Sequence, residues 1–329
     1  IVGAVAAGAV LPGEGLYALR PGFFDAAPVA VPALGIAARP LLAGLSAAAF
    51  AEMEGLAAAA ELPFDAVWLL QQQDALNGYP DRAALFSTPF CTMFAALRGA
   101  AVDGPLLVGR NLDWDRAETA VVTRHQPDTG QPWIEVGFGW NTGVYTAMNG
   151  AGVVLCAERL PALGWSARTG PPLPMVLRDV IARAGSHAEA LRALQAATHL
   201  RGYHVLVAGP GETGWAASVV RFADDISVRP DAAGLLLGVL PDEAGGEPAT
   251  QQRYRRLATL LARASEVSIE STQGLLGDVG PGPRGRSQIW NADTQHSVVF
   301  APADRTLYVS FPGADGRPGP YTPLRVGGN

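Results

Sequence analysis

At 329 residues, with 49% hydrophobic and only 16% charged positions, the chain is long and apolar enough to bury a substantial core, which excludes a disordered tail or a scaffold that needs disulfide staples. Its net charge of −6 offers no basic surface for nucleic acid or for an anionic membrane. All 24 basic residues are arginines, so Schiff-base chemistry and a phosphate-loop lysine are both absent.

The opening IVGAVAAGAVLPGEG is apolar but has no basic n-region, which reads as a trimmed end or a buried segment rather than an intact signal peptide. No apolar run of about 18 residues without proline or charge follows, so no membrane span is expected. Small and apolar residues at helical spacing between Leu45 and Leu62 predict a helix. Pro63 followed by early Asp65 predicts a second, running toward Leu76 before NGYPDRAALFSTP breaks it. From Cys91 the pattern changes to short β-rich pieces bounded by glycine, aspartate and proline, which predicts antiparallel strands through AMNGAGVVLCAERL. Two helices fit Leu173–Ala197, with Ser186 and Glu189 spaced as a capping box. Strands return in YHVLVAGP, GWAASVVRF and AAGLLLGVL, followed by the basic amphipathic helix ATQQRYRRLATLLARA. The segment HSVVFAPADRTLYVSFPG predicts a hairpin turning at Pro-Ala-Asp. The strand clusters have connections too short for parallel crossovers, so layered α/β packing around antiparallel sheets is expected.

Two cysteines, Cys91 and Cys156, cannot make a disulfide framework and lie in no zinc-ligand spacing. A reducing, cytoplasmic setting is therefore expected, with no metal and no cofactor. Cys156, flanked by VVL and alanine, reads as core. Cys91 is different, because Thr92 follows it and the motif Gly109-Arg110-Asn111-Leu112-Asp113-Trp114 lies a hairpin's length downstream.

Cys91-Thr92 followed by GRNLDW resembles the N-terminal-nucleophile hydrolases of the penicillin acyltransferase and bile-salt hydrolase group. The resemblance extends upstream to AEMEGLAAAAELPFDAV, which looks like that group's helical propeptide, and downstream to AMNGAGVV, QQRYRRLATLL and HSVVFAPADRTLYVS. It implies an α+β fold, a four-layer αββα sandwich of two antiparallel sheets. Residues 1–90 would be a helical propeptide segment and 91–329 the catalytic core, together one structural domain. It also implies self-cleavage between Phe90 and Cys91. The thiol then becomes an amino-terminal nucleophile that cleaves a linear amide through a thioester. The new α-amino group, with a reference pKa of about 7.7–8.0, would serve as its base, and no histidine triad is needed. Asp113 would orient that ammonium, Arg110 would favour the thiolate, and Arg253 would add a second guanidinium.

Where the family carries an asparagine ahead of the downstream arginine, this chain has Pro241 and Asp242, and where a second is expected it reads CAERL. Asn141 and Asn149 are substitute oxyanion donors, although asparagines near glycines also simply make turns. Arg253 shares its helix with Arg255, Arg256 and Arg263 and fits a solvated basic face equally. Arg110 and Asp113 also fit a turn salt bridge, Trp114 and Trp140 fit core packing as well as a substrate pocket, and His204 fits a strand. The expected partners are a small amide or acyl substrate and the chain's own cleaved propeptide. Two other outcomes stay open: an acyltransferase or ring-forming enzyme of secondary metabolism that passes the acyl group to an amine, and a silent family member acting as a binding protein.

Overall fold

A computed structural model describes residues 3–5, 39–72, 91–114, 119–159, 170–197, 202–222, 226–231, 234–240, 248–264, 266–280 and 285–327. Among these, the larger sheet has eight antiparallel strands in the spatial order β1 (Gly3–Val5), β4 (Ala120–His125), β5 (Trp133–Phe138), β6 (Thr146–Asn149), β7 (Val154–Arg159), β8 (Tyr203–Gly211), β9 (Gly214–Phe222) and β10 (Ile226–Pro230). The smaller has six, in the order β11 (Leu235–Leu237), β2 (Thr92–Leu97), β3 (Leu106–Asp113), β12 (Thr294–Ala301), β13 (Thr306–Ser310) and β14 (Thr322–Arg325).

Strand side chains alternate between faces, and each face here meets a different layer. Met93, Ala95 and Val108 of the small sheet pack on Met148, Val154, Cys156 and Leu206 of the large one, forming the inner core. The outer face of the large sheet, with Trp133, Leu155 and Val205, meets α3 (Leu173–Arg183) and α4 (His187–Ala196) through Leu177, Ile181 and Ala190. Phe94, Leu107 and Val299 on the other outer face meet Tyr254 and Leu257 of α5 (Pro248–Arg263) and Leu276 of α6 (Ile269–Leu276). This is the αββα order expected from the sequence. Because β2 and β3 lie between two cores, every one of their residues is buried, including the polar and charged Arg110, Asn111 and Asp113 at the end of β3.

The expected amino-terminal helices are α1 (Ala47–Ala59), capped by the Ser46 hydroxyl on the Ala49 amide, and α2 (Phe64–Gln71). Residues 73–76 of the second expected helix lie outside the described residues. The two helices stack beyond α3, with Met53 and Trp68 against Met175 and a Glu52–Arg178 ion pair. Gln71 fixes α2 to the sheet layer, donating to the Trp140 carbonyl at 2.9 Å and accepting from the Thr142 amide at 2.9 Å. Ser186 caps α4 as its spacing predicts, but Glu189 reaches back to the Gly185 amide instead of completing the box on Ser186. The carboxyl-terminal hairpin turns through a short 3-10 helix, Pro302–Asp304, with Arg305 left-handed at φ 55°.

Candidate active site

The hairpin of β2 and β3 explains why Cys91 and the GRNLDW motif are so spaced. Thr92 pairs with Asn111, Met93 with Arg110 and Phe94 with Gly109, so the strand ends bring Cys91 beside Leu112 and Asp113. The Cys91 Sγ lies 3.9 Å from the Asp113 carbonyl oxygen. Gly109 is required where it stands, since a Cβ there would come within 2.4 Å of the Phe94 ring. Cys91 is 6% exposed and belongs to an apolar cluster with Trp114, Phe138, Trp140, Tyr145 and the α2 residues Leu69 and Leu70. The two tryptophans of the sequence reading belong to the same buried cluster as the thiol and both pack on Phe138, Trp114 at 5.3 Å and Trp140 at 5.6 Å, ring to ring. Phe90 lies outside the described residues.

Asp113 is held from three sides. The Arg253 guanidinium pairs with Oδ2, Asn291 donates to the same oxygen at 2.8 Å, and the Thr294 hydroxyl donates to Oδ1 at 2.7 Å. Thr294 faces Asp113 across β3 and β12, just before a bulge that breaks the register ahead of His296. Burial pushes the Asp113 carboxyl upward against the pull of Arg253, Thr294 and Asn291. Arg253 lies on the buried stripe of α5 with Thr250, Tyr254, Leu257 and Leu261, whereas Arg255 and Arg263 are exposed and Arg256 pairs with Asp278. Of the two expectations for Arg253, the solvated face therefore fails.

Arg110 does not pair with Asp113, because three residues along a strand their side chains leave opposite faces. It points between the sheets, donating from Nη2 to the Ala157 carbonyl at 2.6 Å and from Nε to the Thr146 hydroxyl at 3.4 Å. Its Nη1 is buried without a hydrogen-bond partner. Burial pushes the Cys91 thiol up to about 11, with the Arg110 charge as the leading counterweight and Glu158 and Asp113 adding to the rise. In the uncleaved chain the thiol is therefore protonated at neutral pH.

Two residues passed over in the sequence complete the site. The Tyr254 hydroxyl donates to Glu158 Oε2 at 2.9 Å and accepts from the Met93 amide at 3.3 Å, with the Cys91 carbonyl a second acceptor at 3.3 Å. Glu158 stands where the family asparagine was sought in CAERL. Its alternation with Val154 and Cys156, both on the inner face, is the signal that places it between the sheets. Burial lifts its carboxyl to about 7, despite Arg253, Arg110 and the Tyr254 hydrogen bond. An acid whose folded pKa is raised binds more protons in the native than in the unfolded state, so stability falls as pH rises from about 4.5 through about 7. Glu158→Gln is expected to raise stability above pH 7 by about 3 kcal/mol, and by nothing near pH 4. Thermal midpoints of both proteins across that range check the sign.

The structure assigns the two substitute asparagines other duties, which corrects the expectation that they supply oxyanion donors. Asn149 gives both amide hydrogens to the Ile181 and Ala184 carbonyls, at 2.8 and 2.7 Å, and accepts from the Ala151 and Val153 amides. Its side chain leaves the helix-covered face of β6, one residue out of phase with the inward-facing Met148. Asn141 closes a turn on Gly143, donating to its carbonyl at 2.9 Å and accepting from its amide at 3.1 Å. Pro241 and Asp242 lie outside the described residues. Cys156 is fully buried core, and burial pushes its thiol up to about 12.

Among the described residues no group of three or more His, Cys, Asp or Glu is placed to hold a metal, and no helix is long and apolar enough to cross a membrane. No family model matches the chain, and a search of curated proteins finds no match. Solved structures do match. Two single-substitution variants of conjugated bile acid hydrolase from Clostridium perfringens superpose with TM-scores of 0.51 and 0.50, at 14% identity, over 71% of this chain and 92% of theirs. The N-acylethanolamine-hydrolyzing acid amidase ortholog of Caenorhabditis elegans matches at 16% identity and a TM-score of 0.49, over 71% of this chain and 99% of the other. With its two stacked antiparallel sheets between helical layers, the chain has the fold of the N-terminal-nucleophile hydrolases.

Proposed function

We propose that the protein is an amidohydrolase whose nucleophile is Cys91, exposed as an amino terminus by cleavage of the Phe90–Cys91 bond. The observation that carries this reading is the convergence around one buried thiol of Asp113, Arg110 and Glu158, with Arg253 paired to Asp113, delivered by two strands and a helix. Ordinary core cysteines have no use for such a set of ionisable groups, each of which is costly to desolvate.

In the cleavage step the Cys91 sulfur attacks the Phe90 carbonyl carbon. The peptide C–N bond breaks, its nitrogen takes a proton to become the Cys91 amine, and water then hydrolyses the thioester to release the Phe90 carboxylate. In turnover that amine takes the thiol proton, and the thiolate adds to the substrate carbonyl. The proton passes to the leaving amine, and water resolves the acyl-enzyme. Asp113 lies beside the strand end where the ammonium forms and is itself fixed by Arg253, Asn291 and Thr294. The unpartnered Arg110 Nη1 is the natural donor to the developing oxyanion. Packing of α1 and α2 on α3, with Gln71 bonded to the 140–142 turn, supports a cleaved segment 1–90 that stays bound to the core.

Inserting one glycine between Phe90 and Cys91 tests the role of the amine, since any cleavage before the glycine leaves the thiol on the second residue. The expected result is turnover reduced by at least about 10²-fold, the usual scale for loss of a positioned base. Unchanged turnover would assign the base to a side chain.

A further inference from the structure

Alternate residues of a strand turn their N–H and C=O groups to the same edge. On β2 the odd-numbered residues face β11, since the Met93 carbonyl accepts from the Gly238 amide at 2.8 Å and the Leu97 amide donates to the Gly234 carbonyl at 2.8 Å. Continued back to Cys91, that alternation puts its nitrogen and its carbonyl on the β11 edge. Strand β11 does not reach so far. Its last residue, Leu237, pairs with Phe94, and the Gly238 carbonyl turns to Arg229 at 3.4 Å.

Tyr254 takes the place that β11 leaves. It stands on the buried stripe of α5 next to Arg253 and is fully buried. Its hydroxyl meets the two backbone groups beyond the end of β11, accepting from the Met93 amide at 3.3 Å and lying 3.3 Å from the Cys91 carbonyl. A phenol has one hydrogen to give and two lone pairs to fill. The hydrogen goes to the nearer acceptor, Glu158 Oε2 at 2.9 Å. Burial, together with the Glu158 charge, holds the phenol well above its usual range, so the hydroxyl stays protonated. The Met93 amide fills one lone pair, and the second is left for a donor on the edge where the Cys91 nitrogen lies.

We propose that Tyr254 is a positioning residue for the Cys91 amine, an inference that rests on Cys91 as an amino-terminal nucleophile. Release of Phe90 leaves the nitrogen free to rotate about its bond to Cα, and it serves as a base only while its lone pair is turned to the thiol. A hydrogen bond from the amine to the Tyr254 oxygen fixes that rotation, and the oxygen is itself held by Met93 and Glu158. The adjacent residues Arg253 and Tyr254 then divide two duties on one helix, Arg253 holding Asp113 on the β3 side and Tyr254 holding the amine on the β11 side.

Tyr254→Phe keeps the ring and removes the hydroxyl. Alkylation of Cys91 by iodoacetamide at neutral pH, followed by peptide mass mapping, reads thiolate formation without a substrate. The variant is compared with its parent in two backgrounds: the otherwise wild-type chain, and the chain with one glycine inserted between Phe90 and Cys91, where the thiol has no amine on its own residue. Alkylation is expected to slow by about tenfold in the first, the scale of one lost hydrogen bond, and to change by less than about twofold in the second. Equal slowing in both would make Tyr254 a support of the strand alone, and no slowing in the first would leave the amine oriented without it; either result overturns the proposal. Should Tyr254→Phe not fold, Glu158→Leu decides. Losing that carboxylate by itself eases thiolate formation, because Glu158 adds to the rise of the Cys91 thiol, whereas freeing the hydroxyl hydrogen to bond the amine lone pair hinders it. Slower alkylation of the otherwise wild-type chain is expected, and an equal or faster rate overturns the proposal. Failure of the nucleophile reading has a separate signature, since the glycine insertion would then leave the alkylation rate of the parent chain unchanged.

Discussion

Cys91→Ala is expected to yield a folded, uncleaved chain whose amide turnover has fallen by at least about 10³-fold. Alanine fills most of the volume of a cysteine that sits 6% exposed in an apolar cluster, so the thermal midpoint should move by only a few degrees. Both losses follow from one atom, since neither the shift of the Phe90 carbonyl nor the acyl-enzyme can form without the sulfur. A Cys91→Ala protein that still cleaves its substrate would move the nucleophile elsewhere. Cys156 is no alternative, because it is fully buried in the inner core and its thiol is pushed up to about 12.

Asp113→Asn has the second-largest expected effect, and it divides between stability and rate. The new amide can keep its oxygen toward Arg253 and Asn291 and its NH2 toward the Thr294 hydroxyl, but it carries no charge, leaving a buried guanidinium without its counter-charge. Breaking such a pair costs about 3–5 kcal/mol. The catalytic loss is separated from that cost by the double variant Asp113→Asn, Arg253→Met, which removes both charges at once. More than half of the lost stability is expected to return while the single-turnover rate stays low. Recovery of both together would reduce Asp113 to a structural partner of Arg253.

What could be read from the sequence was what the chain places close together. The β2–β3 hairpin is a local structure, so the spacing of Cys91, Arg110 and Asp113 was visible in one stretch and their meeting followed from it. The layered architecture was legible for a similar reason, because the periodicity changes sharply at Cys91, Leu173 and Thr250. Partners that arrive through non-local pairing carried no such signal. Thr294 and Asn291 reach Asp113 only through the β3–β12 register, and Tyr254 reaches Glu158 by crossing from the helix layer to the gap between the sheets. Asn149 misled because an asparagine near a glycine looks the same locally whether it serves a turn or an oxyanion. Only the strand's phase shows that its side chain leaves on the helix side. Helix α6 is short and opens on a Ser268–Ser271 capping box, with no Glu or Gln at the third position to advertise it.

The claim on which the rest depends is that a free amino-terminal cysteine does the chemistry. Intact mass measurement of the purified, active protein under denaturing conditions tests it most directly. The account predicts two chains, one ending at Phe90 and one beginning at Cys91, with turnover rising as the second accumulates. A single chain, continuous through Phe90 and Cys91 and fully active on an amide, would contradict it.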